Sequence, residues 1–399
     1  MKRTLALSGV AAGLLASALV TQPASAAGDV ASDSLAKTSL AAKNVVAYWF
    51  ANKYANLVGS TPYNAETTIK VNKHVSTGGP AADGKAGTVP AIGDEAKSGG
   101  SSKNVNLPRT TGKVFFRGGD GKPHWCTATS LQSKYKNLVA TAGSCVYDTV
   151  TNKATLDYWV FVPGYYQGKT PWGIYVGKTA YTHYDFDVYE DGDRNYAFVT
   201  VYNGLKAPAS GLPAKGSEFA KWMRTENTKE VSKAEWETYS KAIRSPGPIK
   251  GKYYVIRFTD AGRLGDNVGG QGLAYNQKVG QNVYVFGYPS GSHPDGNHAY
   301  TGHTLKWSYG KTFKAKASAV KAEELIGVKS SFTGQGSLGS AWLSQYKSSR
   351  RLGYLNGLTS GVSDTDGNKR IDTSVSAYFD GETYGVYKAA ANLWSGSIA

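Results

Sequence analysis

Residues 139–145 read Val-Ala-Thr-Ala-Gly-Ser-Cys, and with Leu138 before them they decide the fold. The apolar and β-branched residues predict a short buried strand, and the glycine predicts its end. Cys145 is one of only two cysteines in the chain, the other being Cys126. In an oxidising compartment we expect them to form a disulfide, and closing a loop of about 20 residues is worth roughly 3 kcal/mol. The hydrophobic core must therefore supply most of the stability.

Short runs of β-branched and aromatic residues recur on both sides of this stretch, separated by Gly, Pro, Asn and Asp. They lie at residues 113–116, 138–141, 159–162, 196–202, 253–258, 283–286 and 304–307. Many short strands without intervening helices predict an all-β domain, built as a sandwich or as barrels. Residues 206–250 differ, because they are charged and carry a capping box, Ser232 to Glu235, which predicts a helical insertion. Tyr387, Ala390, Ala391 and Trp394 share one stripe and predict a C-terminal helix.

The N-terminus has the pattern of a secretory signal. Lys2 and Arg3 precede an apolar run at 5–20, and residues 24–26 form a small-residue cleavage box. We therefore predict a signal peptide over 1–26 and a secreted, extracellular protein. No later stretch approaches the ~20 apolar residues that a membrane-spanning helix needs.

Composition divides the rest of the chain into three parts. Residues 27–60 have apolar side chains at helical spacing and predict a helical pre-segment. Residues 61–110 include a long stretch rich in Gly, Ser, Lys, Ala and Asp, which predicts a flexible linker. The strand signals begin after it, so we predict one folded domain over 111–399, with the insertion at 206–250.

The chain has 45 Lys and Arg against 29 Asp and Glu, a formal net charge of +16. Lys2 and Arg3 would leave with the signal peptide. Outside a cell this charge favours contact with anionic cell-wall polymers, with simple solubility as the alternative. Basic residues are scattered and form no block of like charge, and no specific nucleic-acid motif is found. We expect a monomer.

Five segments carry a family resemblance, and together they are specific. They are residues 112–116, 124–128, 141–145, 159–165 and 281–289. Through them the region 111–399 resembles secreted bacterial serine peptidases of the trypsin/chymotrypsin-like class. The resemblance implies two antiparallel six-stranded β-barrels, here with a helical insertion and a C-terminal helix, and a catalytic triad of serine, histidine and aspartate.

The resemblance places Ser144 where the family has its histidine and Asn195 where it has its aspartate. A serine hydroxyl is not a general base near neutral pH, so no residue at this position can take the proton of an attacking hydroxyl. Asparagine keeps the shape of aspartate but loses its charge, a change that alone costs about 10⁴ in turnover in this family. Asp193, two residues upstream, is the alternative carboxylate.

The nucleophile position has two alignments. Residues 333–342 are one residue longer than the family's phrase, so counting back from Trp342 gives Leu338, and counting forward from Thr333 gives Ser337. The glycines that follow the family's nucleophile are also changed, which alters the turn that builds the oxyanion hole. A second disulfide of the family is absent, since Ser330 and Thr301 occupy its positions.

No intact triad is therefore predicted. We expect a proteolytically inactive homologue that binds a peptide or protein in the former active-site cleft. The alternative is a divergent serine endopeptidase in which Ser337 attacks and a displaced histidine acts as base, with His183, His293, His298 and His303 as candidates. A weaker alternative is a basic binder of anionic cell-wall polymers.

No cofactor and no metal site are expected. His293, His298 and His303 lie in a loop without cysteine and with little clustered carboxylate. Residues 364–375 have alternating oxygen ligands like a calcium loop, but Lys369 and Val375 replace the glycine and glutamate that such a loop needs. A hairpin turn through 366–368 is the better interpretation.

Overall fold

The computed structural model describes residues 29–63, 68–75, 77–93, 104–149, 156–206, 221, 228–240 and 248–398. The predicted signal peptide, 1–26, lies outside these residues. In the described part of the chain, no helix has the length and apolar character needed to cross a membrane.

The N-terminal region packs against the rest of the protein. Its elements are β1 (Val30–Ser34), α1 (Ser39–Val58), β2 (Thr61–Pro62), β3 (Asn72–Lys73) and β4 (Gly87–Val89). Helix α1 starts at Thr38, whose hydroxyl accepts the N–H of Ala41 at 3.1 Å. Its Trp49 is fully buried and donates to Tyr158 O at 2.7 Å. The stretch for which the sequence predicts a linker thus contains three short strands.

The first barrel is closed by six antiparallel strands. They are β5 (Thr111–Arg117), β6 (Pro123–Leu131), β7 (Leu138–Thr141), β8 (Asp157–Pro163), β9 (Tyr175–His183) and β10 (Ala197–Val201), and a short helix, α2 (Tyr184–Tyr189), follows β9. The order is β9-β10-β7-β6-β5-β8, and β8 pairs back onto β9. Val114 and Phe116 pack in the cluster that holds the Cys126–Cys145 disulfide, whereas Phe115 belongs to the cluster formed with α1. Strand alternation produces these two faces.

The predicted insertion is described in part. Within 206–250 the described elements are β12 (Thr228–Val231) and α3 (Lys233–Ser240). Strand β11 (Gly204–Lys206) leads into this region, and β13 (Tyr253–Ile256) and β14 (Thr259–Gly262) follow it. The predicted cap is present, since Glu235 N–H donates to Ser232 Oγ at 3.2 Å. Tyr239 and Ile256 share a core cluster with Phe50 of α1.

The second half has two larger sheets, which form a half-barrel, and a separate two-stranded sheet. Its elements are α4 (Leu264–Val268), β15 (Gly272–Tyr275), β16 (Asn282–Gly287), β17 (Ser290–Gly291), β18 (Tyr300–Thr301), β19 (Lys306–Lys311), β20 (Phe313–Ala317), β21 (Ala322–Lys329), β22 (Ala341–Lys347), β23 (Leu352–Leu358), β24 (Gly361–Ser363), β25 (Thr373–Ala377) and α5 (Gly381–Ala391). The orders of the larger sheets are β19-β16-β22-β23-β15-β4 and β24-β25-β21-β20-β3, and β17 pairs with β18. Val285, Val328 and Trp342 belong to a core cluster with members from both sheets.

A further core cluster contains residues from both halves, and α5 covers it. Phe198 of the first barrel, Leu343 of the second half and Val386 of α5 belong to it. The prediction of an all-β double-barrel fold with a C-terminal helix is confirmed. The helix ends at Ala391, and Trp394, which the sequence places on its buried stripe, is 47% exposed.

Candidate functional site

Ser144 lies in a one-turn 3₁₀ helix directly after β7, at the junction of the two halves. The Cys126–Cys145 disulfide anchors this turn to β6. Gly143 is required by packing, because a Cβ there would lie 2.5 Å from the Phe186 ring. Ser144 is only 6% exposed, and among the described residues its hydroxyl oxygen has no hydrogen-bond partner. The position thus holds a buried, uncharged oxygen without a hydrogen bond.

Asn195 is the immediate neighbour of Ser144. It follows a second 3₁₀ turn (Gly192–Arg194) and precedes β10, and its Oδ1 accepts the N–H of Ser144 at 3.1 Å. Two of the predicted triad positions are therefore in contact. The amide oxygen makes the hydrogen bond that a carboxylate could make, but it has no negative charge with which to stabilise a cation.

Asp193 points elsewhere and does not replace Asn195. Its carboxylate accepts the N–H groups of Glu323 and Glu324 at 2.8 and 2.7 Å, which fastens the 192–195 turn to β21 in the second half. Burial raises the pKa of Asp193 to about 6, against the two backbone hydrogen bonds that lower it. Beside it, Arg194 forms an ion pair with Glu382 at 2.6 Å.

The side chains of Ser337 and Leu338 have different surroundings. The Leu338 side chain is 1% exposed and joins the core cluster that contains Ala142 and Cys145, which flank the Ser144 turn. Ser337 is fully buried, and its hydroxyl donates to Thr333 O at 2.5 Å within its own loop. The apolar side chain is therefore buried in the core of the first barrel, and the hydroxyl is used to hold the loop.

Three of the four histidines considered as displaced bases form hydrogen bonds with other groups. Among the described residues, no histidine ring forms a hydrogen bond with the Ser337 hydroxyl. His293 Nδ1 accepts the N–H of Ile371 at 3.0 Å, and His183 Nδ1 accepts the N–H of Asp185 at 3.2 Å. His298 Nδ1 forms a hydrogen bond with Ser292 Oγ at 3.2 Å. His303 lies on the wall of a separate cavity.

The acidic stretch after β24 forms a turn. The Asp364 carboxylate accepts the N–H groups of Gly367 at 2.9 Å and Lys369 at 2.8 Å. Its oxygens are thus occupied by the backbone, as the hairpin interpretation requires. In the described ranges, no group of three or more His, Cys, Asp or Glu side chains is arranged to hold a metal ion.

Ser144 and Asn195 line a cleft of about 130 Å³ between the halves. Ser360 and Lys321 line it from the second half, and Ile69 lines it from the N-terminal region. Sequence reasoning missed Ile69, because no local pattern indicates which residue of a predicted linker reaches a distant cleft. Ser360, which precedes β24, carried no motif of its own.

Comparisons with known proteins give structural similarity only. No family model and no curated protein matches the chain. Similar solved structures include the protease Anisep from Arthrobacter nicotinovorans, with 21% identity, 72% of this chain and 97% of that chain covered, and a TM-score of 0.49. A thermostable serine protease AL20 from an extremophilic microorganism has 19% identity, coverages of 71% and 97%, and a TM-score of 0.45. A Glu endopeptidase has 14% identity, coverages of 74% and 99%, and a TM-score of 0.41.

These similar structures are proteases, two of them with 97% of their length covered. Because the identities are below 25% and the scores below 0.5, the fold assignment rests on the strand pairing described above. The chemistry of the site has to be argued from its own residues.

Proposed function

We propose that the protein is a secreted, proteolytically inactive member of the trypsin-like fold that binds an extended peptide in the cleft at Ser144. One observation carries the loss of activity. Ser144 provides no base, Asn195 provides no charge to support one, and the buried Leu338 provides no nucleophile. A triad acts as a unit, and loss of the serine or histidine alone removes roughly 10⁶ in rate.

The chain's own N-terminal region supports peptide binding. Ile69 N–H donates to Val362 O at 2.9 Å, and Val71 N–H donates to Ser363 Oγ at 3.2 Å. Thr68 forms a parallel bridge with Val362 of β24. This stretch, residues 68–71, is termed the cleft segment. It reaches the cleft in extended form and is held mainly through its backbone, the way in which a peptide adds to a sheet edge.

Catalysis is tested with a fluorophosphonate probe and a broad peptide library. We expect no turnover, and we expect any slow labelling to be equal in the unmodified protein and in Ser337→Ala, because that hydroxyl already donates within its loop. Labelling abolished by Ser337→Ala, together with hydrolysis of a library peptide, would show that the divergent endopeptidase is correct.

Peptide binding is tested with a fluorescent peptide of residues 68–73, Thr-Ile-Lys-Val-Asn-Lys. Ile69→Asp should weaken the cleft segment and tighten binding of the added peptide about tenfold or more in fluorescence anisotropy. Val75→Asp is the matched control, since Val75 is in the same region but 86% exposed, and it should bind like the unmodified protein. Equal binding by all three proteins, or by none of them, would contradict the proposal.

A further inference from the structure

Lys113 is a lysine buried among aromatic rings, away from the Ser144 cleft. It lies on β5 on the same side as Phe115 and is only 2% exposed. Its Nζ lies 3.2 Å from the centroid of the Trp125 ring and 4.4 Å from that of Tyr165. Tyr288 and Phe115 follow at 5.5 and 5.9 Å. Ring faces attract an ammonium group, and they give an amine no proton acceptor other than their π electrons.

Among the described residues, Lys113 has no acidic partner, although Lys and Arg side chains form 11 ion pairs there. Burial lowers the pKa of Lys113 well below its ordinary value. The neighbouring Tyr288 phenol donates to Tyr165 O at 2.7 Å, and burial raises the pKa of both phenols, so they add no negative charge. The uncharged amine is therefore populated at lower pH than in a surface lysine.

A cavity of about 210 Å³ has Lys113 in its wall. Its lining also includes the apolar residues Leu57 and Pro62 from the N-terminal region, and Ser290 and Thr301, which carry hydroxyl groups. The titratable side chains that line the cavity are Lys113, Tyr165 and His303. The cavity thus combines an apolar wall, hydrogen-bonding groups and a nucleophile, the features of a small-molecule site.

We propose that Lys113 is a nucleophilic amine that captures a small aldehyde in this cavity as an imine. The Nζ lone pair attacks the carbonyl carbon and forms a C–N bond, while the C=O π electrons move to oxygen. Proton transfer from nitrogen to oxygen gives a carbinolamine, which loses water to give the C=N bond. Protonation of the imine nitrogen then gives an iminium cation among the rings, where the same attraction stabilises it. No oxidant or reductant is required.

The experiment uses benzaldehyde with sodium cyanoborohydride at pH 7, which reduces the imine to a stable secondary amine. Peptide mass spectrometry then measures the labelling rate at each lysine. We expect Lys113 to react at least tenfold faster than Lys178, a partly buried lysine whose Nζ donates to the carbonyls of Trp394 and Ser395 at 3.3 and 3.1 Å. In Lys113→Arg this fast adduct should disappear while the labelling of Lys178 stays unchanged.

A second variant tests the cavity itself. Thr301 is exposed at its rim, so Thr301→Trp should narrow the entrance without disturbing the core, and should slow labelling of Lys113 at least fivefold. Labelling of Lys113 no faster than that of Lys178, or seen only after denaturation, would overturn the proposal. An unchanged rate in Thr301→Trp would overturn the cavity as the route and binding site.

Discussion

The Ser144 cleft and the Lys113 cavity both bury a polar group, but with opposite chemical consequences. In the cleft the buried group is a neutral hydroxyl, its neighbour is a neutral amide, and Leu338 is an apolar side chain buried in the core. In the cavity the buried group is an amine among rings, without a carboxylate partner in the described part of the chain. We propose that the cleft binds a peptide without reactive chemistry, whereas the cavity holds a reactive amine in a small space.

The difference shows that burial alone does not make a group reactive. A serine hydroxyl stays protonated near neutral pH unless a base takes its proton, so burying Ser144 changes packing and little else. A lysine changes its protonation state when it is buried, so the same loss of water makes Lys113 a better nucleophile. The predictions below test each half of this contrast, from the largest expected effect to the smallest.

Leu338→Ala should have the largest effect on stability. Its side chain is almost fully buried beside the Ser144 turn, so its removal should leave a cavity and cost about 2–5 kcal/mol in the free energy of unfolding. Urea denaturation measures this change. The control is Leu393→Ala, where the side chain is 44% exposed and we expect a change within about 0.5 kcal/mol. A cost as small as that of the control would mean that Leu338 is free to leave the turn.

Asp193→Asn should remove a pH dependence from the turn that precedes Asn195. Because burial raises the pKa of this carboxyl to about 6, the folded state binds its proton more tightly than the unfolded state. Its contribution to stability is then fully present below about pH 4 and is lost as the pH rises through 6, by at most about 3 kcal/mol. The measurement is the difference in unfolding free energy between the unmodified protein and the variant from pH 4 to pH 7.

That difference should fall with rising pH, because the asparagine stays uncharged throughout. Asp29→Asn, at an exposed carboxylate, provides the control and should follow the unmodified protein at every pH. A difference that rises with pH would mean that the two N–H groups of Glu323 and Glu324 outweigh burial and lower the pKa instead.

Lys113→Met tests the other half of the contrast. Burial makes the pKa of Lys113 lower in the folded state than in the unfolded chain. Its contribution to stability is therefore fully present above the unfolded-state pKa and is lost as the pH falls through the folded-state pKa. The unmodified protein should therefore gain stability relative to the methionine variant as the pH rises from 7 to 10. Urea midpoints across this range provide the measurement, and Lys178→Met is the matched control. Parallel curves for the two variants would show that Lys113 is charged when folded.

Most of the fold could be predicted from the sequence, for a physical reason. Strand alternation and apolar content are local properties, so the runs at 138–141 and 159–162 predicted strands that the structure contains. The pairing of Cys126 with Cys145 followed from there being only two cysteines. The apolar stripe from Tyr387 to Trp394 likewise predicted the C-terminal helix, although the helix ends at Ala391.

The site was predictable only in part, because it depends on contacts between distant residues. A resemblance could indicate Ser144 and Asn195, but only the hydrogen bond between them shows that they meet. The cleft segment lies within 61–110, where a later Gly-, Ser- and Lys-rich stretch predicted a linker, and no local pattern indicates its pairing with β24. Lys113 is buried by Trp125, Tyr165 and Tyr288, and no local pattern brings those three rings together.

Ser144→Ala should have the smallest effect and is the most direct test of an empty catalytic position. Since the hydroxyl is buried without a hydrogen bond in the described structure, its removal should leave stability unchanged or raise it by about 0.5–1 kcal/mol. The matched control is Ser340→Ala, because that buried hydroxyl donates to Ser337 O at 2.6 Å and its loss should cost about 1 kcal/mol or more. If both variants lose stability equally, Ser144 has a partner in solution, and the contrast between cleft and cavity fails at the cleft.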